Sequence, residues 1–177
     1  TGRSGNRGVC AQPCRSRYTL TDGDGRQILA EKFLLSLKDL NLRSDIPALA
    51  AVGITSFKIE GRYKEADYVK NVTAAYSRAL DAFISSRPEY RRSSSGRSEA
   101  AFLPDPAKTF NRGFTRYFVS GRKEKMASID TPKAIGEAVG SVTSLGKGYF
   151  KSDCTDLKNG DGLCFFTKEN NLSGFRV

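Results

Sequence analysis

Between Lys64 and Ser86 the apolar positions Val69, Val72, Tyr76, Ala79, Leu80 and Phe83 recur at three- and four-residue steps, while Lys70, Arg78 and Asp81 fall on other faces. That period predicts one long amphipathic helix. Upstream the pattern is shorter-ranged. Tyr18-Thr19-Leu20-Thr21 and Arg26-Gln27-Ile28-Leu29 flank Asp22-Gly23-Asp24-Gly25, which predicts a β-hairpin around a glycine-rich turn. Lys32 to Leu37 reads as a further extended segment. Ser44 is placed to cap a short helix through Ile46, Leu49 and Ala50, stopped at Gly53, and Ile54 to Ile59 is apolar enough for a buried strand. Strand, short helix, strand and long helix in succession predict a parallel α/β arrangement.

Beyond the helix the pattern dissolves. Residues 89–96 are polar and basic, with Arg91-Arg92-Ser93-Ser94-Ser95 in sequence, and read as a linker. Pro104-Asp105-Pro106 predicts a short helix toward Asn111, followed by Phe114, Tyr117 and Phe118 among Arg112, Arg116 and Arg122. Those aromatics either stack on single-stranded nucleic acid or pack onto the next domain. After Pro132 the pattern becomes that of short strands, Ile135 to Val142, Gly148 to Lys151 and Gly162 to Phe166, with a turn at Asn159-Gly160-Asp161-Gly162. A small barrel is the natural closure for strands this short. The fold class expected is therefore α/β followed by β, in three parts: 1–86, a basic linker over 87–130 with a short helix, and a small β-barrel-like domain over 131–177.

Charge adds a partner to this picture. The chain of 177 residues has a net charge of +10 and 38% apolar content. The excess is segregated. Residues 1–17 contribute +4 and residues 87–125 contribute +6, while the rest balances. Segregated positive charge fits an anionic partner, RNA above all, because neutralising phosphates releases counterions. Arg91, Arg92 and Arg97 are the expected phosphate contacts of the linker. A solvated basic linker is the competing reading. No apolar run approaches the roughly 18 residues of a membrane span, so no membrane partner is expected, and the composition suits a cytoplasmic protein.

The opening stretch, Gly2 to Arg15, holds three glycines, three arginines and two thiols without one acid. Glycines admit close backbone approach, arginines pair with phosphate or carboxylate, and thiolates ligate soft metals. Arg3, Asn6 and Arg7 are candidate substrate contacts. Cys10-Ala11-Gln12-Pro13-Cys14 can present both sulfurs, Cys10 and Cys14, to one iron-sulfur cluster. Cys154 and Cys164 read as small buried hydrophobes in strands. The chain contains no histidine, which removes imidazole-based zinc sites and every Ser-His or Cys-His pair within it.

Three blocks carry a family resemblance: the opening loop, Leu34-Leu35-Ser36-Leu37-Lys38-Asp39-Leu40, and Ser56-Phe57-Lys58-Ile59-Glu60-Gly61-Arg62. In that order and spacing they resemble peptidase family U32, the collagenase-like proteases, well over residues 2–86 and loosely beyond. The resemblance implies that the chain is an internal fragment, with 1–86 the C-terminal portion of a (β/α) barrel-like domain. Lys38, Asp39, Lys58, Glu60 and Arg62 would then lie near strand ends, where such barrels keep their chemistry. Lys58 and Arg62 would hold a carboxylate or phosphate, with Glu60 orienting them, or the group is an ion-pair cluster of the scaffold.

Some relatives are similar to iron-sulfur proteins that hydroxylate RNA bases or the ubiquinone ring, with prephenate implicated in the RNA cases. By that resemblance Cys10 is a cluster ligand and an upstream cysteine pair absent here supplies two more. Some relatives place a cysteine directly after Lys-Asp-Leu, where this chain has Asn41. Cys14 takes that role, or the cluster is incomplete. The expectations are an iron-sulfur cluster in the whole protein and none in these 177 residues, which by themselves would be inactive. RNA hydroxylation, a peptidase and a non-catalytic RNA-binding role all remain open, as does the oligomeric state.

Overall fold

A computed structural model describes residues 2–96, 98–119, 121–122 and 125–177. In chain order the elements are β1 (Tyr18–Thr21), β2 (Gln27–Lys32), β3 (Asp39–Leu40), α1 (Ile46–Ala51), α2 (Ala66–Ser85), β4 (Phe114–Thr115), β5 (Val142–Gly146), β6 (Tyr149–Ser152), β7 (Gly162–Phe166) and β8 (Leu172–Arg176). They fall into two compact units, one of residues 1–37 with 127–177 and the other of residues 38–126.

The first unit is built of antiparallel pairs: β1 with β2, β5 with β6, and β7 with β8. The first hairpin forms where the sequence predicts it. Asp22 Oδ1 accepts from the amides of Asp24 at 3.0 Å and Arg26 at 2.8 Å, and Gly25 takes φ of 80°, a region that glycine enters without steric cost. Instead of an extended run from Lys32 to Leu37, β2 ends at Lys32 and the chain turns, with the Ser36 amide donating to the Phe33 carbonyl at 2.9 Å. The Phe33 amide is taken by Ile129, and Leu37 makes an isolated bridge to Ala127, so this stretch pairs with residues 127–129.

The last strands shift in a similar way. Ile135 to Gly140 is irregular and pairing begins only at Val142. Strand β8, which the polar run Lys168 to Asn171 hides in the sequence, pairs with β7 in unbroken register from Gly162–Arg176 to Phe166–Leu172. Cys164 is exposed in that pair, its Sγ donating to the Ile135 carbonyl at 3.3 Å, and Cys154 lies beyond the end of β6. Neither is the buried strand hydrophobe expected, because a two-stranded pair leaves its faces open.

The second unit has a helical core. Ile46 and Ala50 of α1 meet Phe83 of α2, with Tyr76, Ala79, Leu80 and Ile84 packed around them. Burying a phenylalanine contributes about 2–3 kcal/mol. Helix α2 stops where its last carbonyls are taken by hydroxyls, Ser85 Oγ on Ala82 and Ser86 Oγ on Phe83, ahead of Pro88. Ser44 does not cap α1. A 3-10 turn over Arg43–Asp45 precedes that helix, and Asp45 occupies the capping position without a side-chain cap bond. Gly53 does end it, at φ of 90°.

Residues 54–59 form no strand. Ile54 and Ile59 are exposed and no neighbouring strand pairs with them among the described residues. The parallel pairing expected of an α/β segment is instead made by β3 with β4, Asp39 opposite Phe114 and Leu40 opposite Thr115.

Candidate functional site

Two buried asparagines shape the loop that delivers β4. Asn71 of α2 donates through Nδ2 to the Asp105 carbonyl at 2.6 Å and accepts from the Asp105 amide at 2.8 Å. Asn111 donates to the carbonyls of Ala107 and Thr109 and accepts from the Gly113 amide at 3.0 Å. Such fully used amides are the normal condition for burying them. Between them, Asp105 caps a 3-10 turn over Pro106–Lys108, the short helix read from the two prolines.

The loop thereby sets two arginines against two acids. Asp39 accepts from the Arg112 amide at 2.8 Å and from its Nη2 at 2.7 Å, with both side chains largely buried. Arg116 donates Nε to Asp45 Oδ2 at 2.9 Å and Nη2 to Asp45 Oδ1, a forked pair on a carboxylate that is 7% exposed. Arg112 also stacks its cation near Phe110, against which Lys64 Nζ lies 2.9 Å from the ring centroid.

Tyrosines close the arrangement. Tyr76 accepts from the Leu42 amide at 2.9 Å and donates to Asn41 Oδ1 at 3.3 Å, and burial raises its hydroxyl pKa. Tyr117 donates to the Lys38 carbonyl at 3.1 Å and is likewise raised by burial, then by the charge of Asp39. Tyr68 joins two of the sequence blocks. Its hydroxyl donates to the Glu60 carbonyl at 3.4 Å, and its pKa is raised by burial first and by Asp39 second.

The predicted site residues divide accordingly. Lys38 contributes its backbone, while Asp39 lies at the centre of the ion-pair cluster. Lys58 and Glu60 approach to 3.9 Å with both side chains well exposed, a pair worth about 0–1 kcal/mol. The Arg62 amide donates to Glu60 Oε1 at 3.3 Å and its side chain is exposed. In the other unit, Arg3 Nε donates to the Val9 carbonyl and Arg7 Nη2 to the Gly2 carbonyl, so both arginines brace the opening loop while Asn6 stays exposed. The segment read as a linker is partly tied down: Arg92 bonds Asp81 and Ser77 of α2, and Tyr90 packs on Phe83. Arg91 is exposed, and Arg97 lies outside the described residues.

Sequence reasoning missed Asp45, Asn71, Tyr76 and Asn111, and noted Arg112 and Arg116 without their acids. The available signal was weak: one acid inside the Lys38 block and one shortly after it, and two arginines around a Gly-Phe-Thr run.

For a soft-metal group the opening loop offers two thiols. The Gln12 amide donates to Cys10 Sγ at 3.3 Å, and Cys14 is exposed. No group of three or more ligand side chains is gathered among the described residues, so the loop fits part of a cluster's ligand set. Asn41 adds nothing to it, since its Oδ1 is engaged by the Arg43 amide and Tyr76.

A second feature lies at the carboxyl ends of β3 and β4. Asn41, Arg43, Ser44, Phe114, Thr115 and Arg116 line an open cleft of about 290 Å³. No described helix is long and apolar enough to cross a membrane.

Comparison with known proteins places these features in a family. The chain is 49% identical, over its whole length, to the 23S rRNA 5-hydroxycytidine C2501 synthase of Escherichia coli, covering 27% of that protein. It is 42% identical over 47% of its length to tRNA hydroxylation protein P1 of Bacillus subtilis, covering 21% of it. It is 30% identical over 90% of its length to a collagenase of Porphyromonas gingivalis, covering 45% of that protein. The chain thus spans about a fifth to just under a half of the relatives it matches. No solved structure matches it. The model of peptidase family U32 matches residues 1–128, across all three sequence blocks and both ion-paired arginines, and the chain belongs to that family.

Proposed function

We propose that the whole protein hydroxylates a base of RNA. The observation that carries this reading is the 49% identity maintained over the full chain with an rRNA hydroxycytidine synthase, against 30% with a collagenase. The absence of histidine from the chain supports the same choice, since these residues supply no imidazole to a nucleophile or a zinc ion. The segregated charge of residues 1–17 and 87–125 suits a phosphate-rich substrate. An RNA substrate is what supports a cytoplasmic location in this reading.

In this reading Cys10 and Cys14 hold part of an iron-sulfur cluster, which when bound supplies one-electron chemistry. The Gln12 amide donates to the Cys10 sulfur and orients it. Exposed Lys58 and Arg62 bind the carboxylates of a co-substrate such as prephenate, with Glu60 holding the Arg62 turn. Asp39 of β3 fixes Arg112 just before β4, and Asp45 fixes Arg116 just after it. Residues 1–86, with β3, form the closing portion of a (β/α) barrel-like domain, and β5 to β8 belong to a small β-barrel-like one.

The test is nucleoside mass spectrometry of rRNA and tRNA from the source organism with the gene deleted. A hydroxylated nucleoside should disappear, return with the wild-type gene, and stay absent with Cys10→Ser. Unchanged nucleosides in the deletion strain, together with gelatin cleavage by the purified protein, would replace this reading with the peptidase one that the collagenase relatives favour.

A further inference from the structure

The cleft after β3 and β4 is lined by two guanidiniums, one aromatic ring, two hydroxyls and an amide, with no carboxylate among its lining residues. Arg116 is fixed in place by its fork on buried Asp45, yet its side chain stays 42% exposed. Arg43 is exposed, and its guanidinium enters no hydrogen bond or ion pair among the described residues. Phe114 is a large apolar side chain left 37% exposed beside them. Asn41 has its Oδ1 occupied by Arg43 N and Tyr76 Oη, while its Nδ2 donates to no described protein acceptor.

A ring with two cations beside it is the combination by which proteins hold single-stranded nucleic acid, the base stacked on the ring and the phosphate on the cations. The carboxyl ends of parallel strands are also where α/β folds place ligands. About 290 Å³ is room for one nucleotide and far too little for a duplex.

We propose that this cleft seats one unpaired nucleotide of the RNA substrate, with the base on Phe114, its phosphate between Arg43 and Arg116, and Asn41 Nδ2 donating to the base or ribose. The proposal rests on the RNA reading above and adds to it a positioning site outside the cysteine loop. A double-stranded RNA lacks a splayed base and would use only the basic surface.

The whole protein is titrated with a labelled single-stranded oligoribonucleotide and with a perfectly paired, blunt-ended two-strand duplex, as wild type, Phe114→Leu, Phe114→Tyr and Arg43→Gln. Phe114→Leu should weaken single-strand binding by about tenfold, with the salt dependence unchanged, and Phe114→Tyr should retain it. Arg43→Gln should flatten the log-log salt slope by about 0.7. The duplex should be bound equally by wild type and the Phe114 variants. Wild-type binding that none of these substitutions alters would overturn the cleft and leave the RNA reading standing. A wild type that binds neither RNA would overturn both. Unfolding temperatures within a degree or two of wild type, expected because neither exchanged side chain is hydrogen-bonded, show that the variants are folded.

Discussion

At the scale of single residues, the second unit depends on a few polar side chains whose partners lie far along the chain. Tyr76 is one, joining α2 to the turn after β3 through Leu42 and Asn41. Tyr76→Phe leaves the Leu42 amide unpaired and should cost on the order of 1 kcal/mol. Its pH dependence has a definite sign. Burial raises the hydroxyl pKa above 10.0, so the unfolded chain releases that proton first, and the stability it contributes is full below about pH 10 and falls as pH rises further. Denaturant titrations at rising alkaline pH should show a shallower decline for Tyr76→Phe than for wild type.

Asp45→Asn breaks the fork on Arg116. Breaking a fully buried pair costs about 3–5 kcal/mol, and the exposure of Arg116 brings this to about 2 kcal/mol, measurable as a lower urea midpoint. For the cysteines the expected contrast is in bound iron: Cys10→Ser in the whole protein should lose it and Cys164→Ser should keep it, as read by metal analysis of protein purified without oxygen. The Lys58–Glu60 ion pair was legible because both residues sit in one compact sequence block. Asp45 and Arg116 were not, because 71 residues separate the partners and neither neighbourhood signals the other.

At the scale of elements, α2 carries most of the core and was the most legible part of the chain. Its apolar period survives in the buried Val72, Ala75 and Phe83, and only Val69 turns outward, 47% exposed. Phe83→Ala should cost about 3 kcal/mol and lower the unfolding temperature of the second unit. The first hairpin was equally readable, since its Asp-Gly turn specifies backbone geometry locally. The segment from Ile54 to Ile59 was not. Its β-branched composition suits a strand, but a strand needs a partner, and local propensity does not report one.

The basic segment after α2 divides on the same principle. Arg92 is bound to Asp81 and Ser77, while Arg91 is exposed. Arg92→Gln should therefore lower stability slightly with little change in RNA affinity, and Arg91→Gln should do the reverse. Thermal unfolding and RNA titration of the two variants separate these outcomes.

At the scale of the whole molecule, charge and family membership were legible from the three blocks and the segregated arginines, whereas the grouping into units was not. Residues 1–37 and 127–177 cluster together, a long-range pairing that no local pattern encodes. The first unit also leaves large apolar side chains open, among them Leu145, Tyr149, Phe165 and Phe175 on its hairpins. Pairs of strands with such faces are marginal alone, so the 177 residues by themselves should bind an apolar dye strongly.

The central claim, that this is an RNA base hydroxylation protein, is tested most directly by exchange with a relative. The whole gene is expressed in Escherichia coli lacking its 23S rRNA 5-hydroxycytidine synthase, and 5-hydroxycytidine in 23S rRNA is measured by mass spectrometry. The account predicts that the nucleoside returns with the wild-type gene and not with Cys10→Ser. Iron-loaded, soluble protein with no hydroxylated nucleoside in rRNA or tRNA would contradict it.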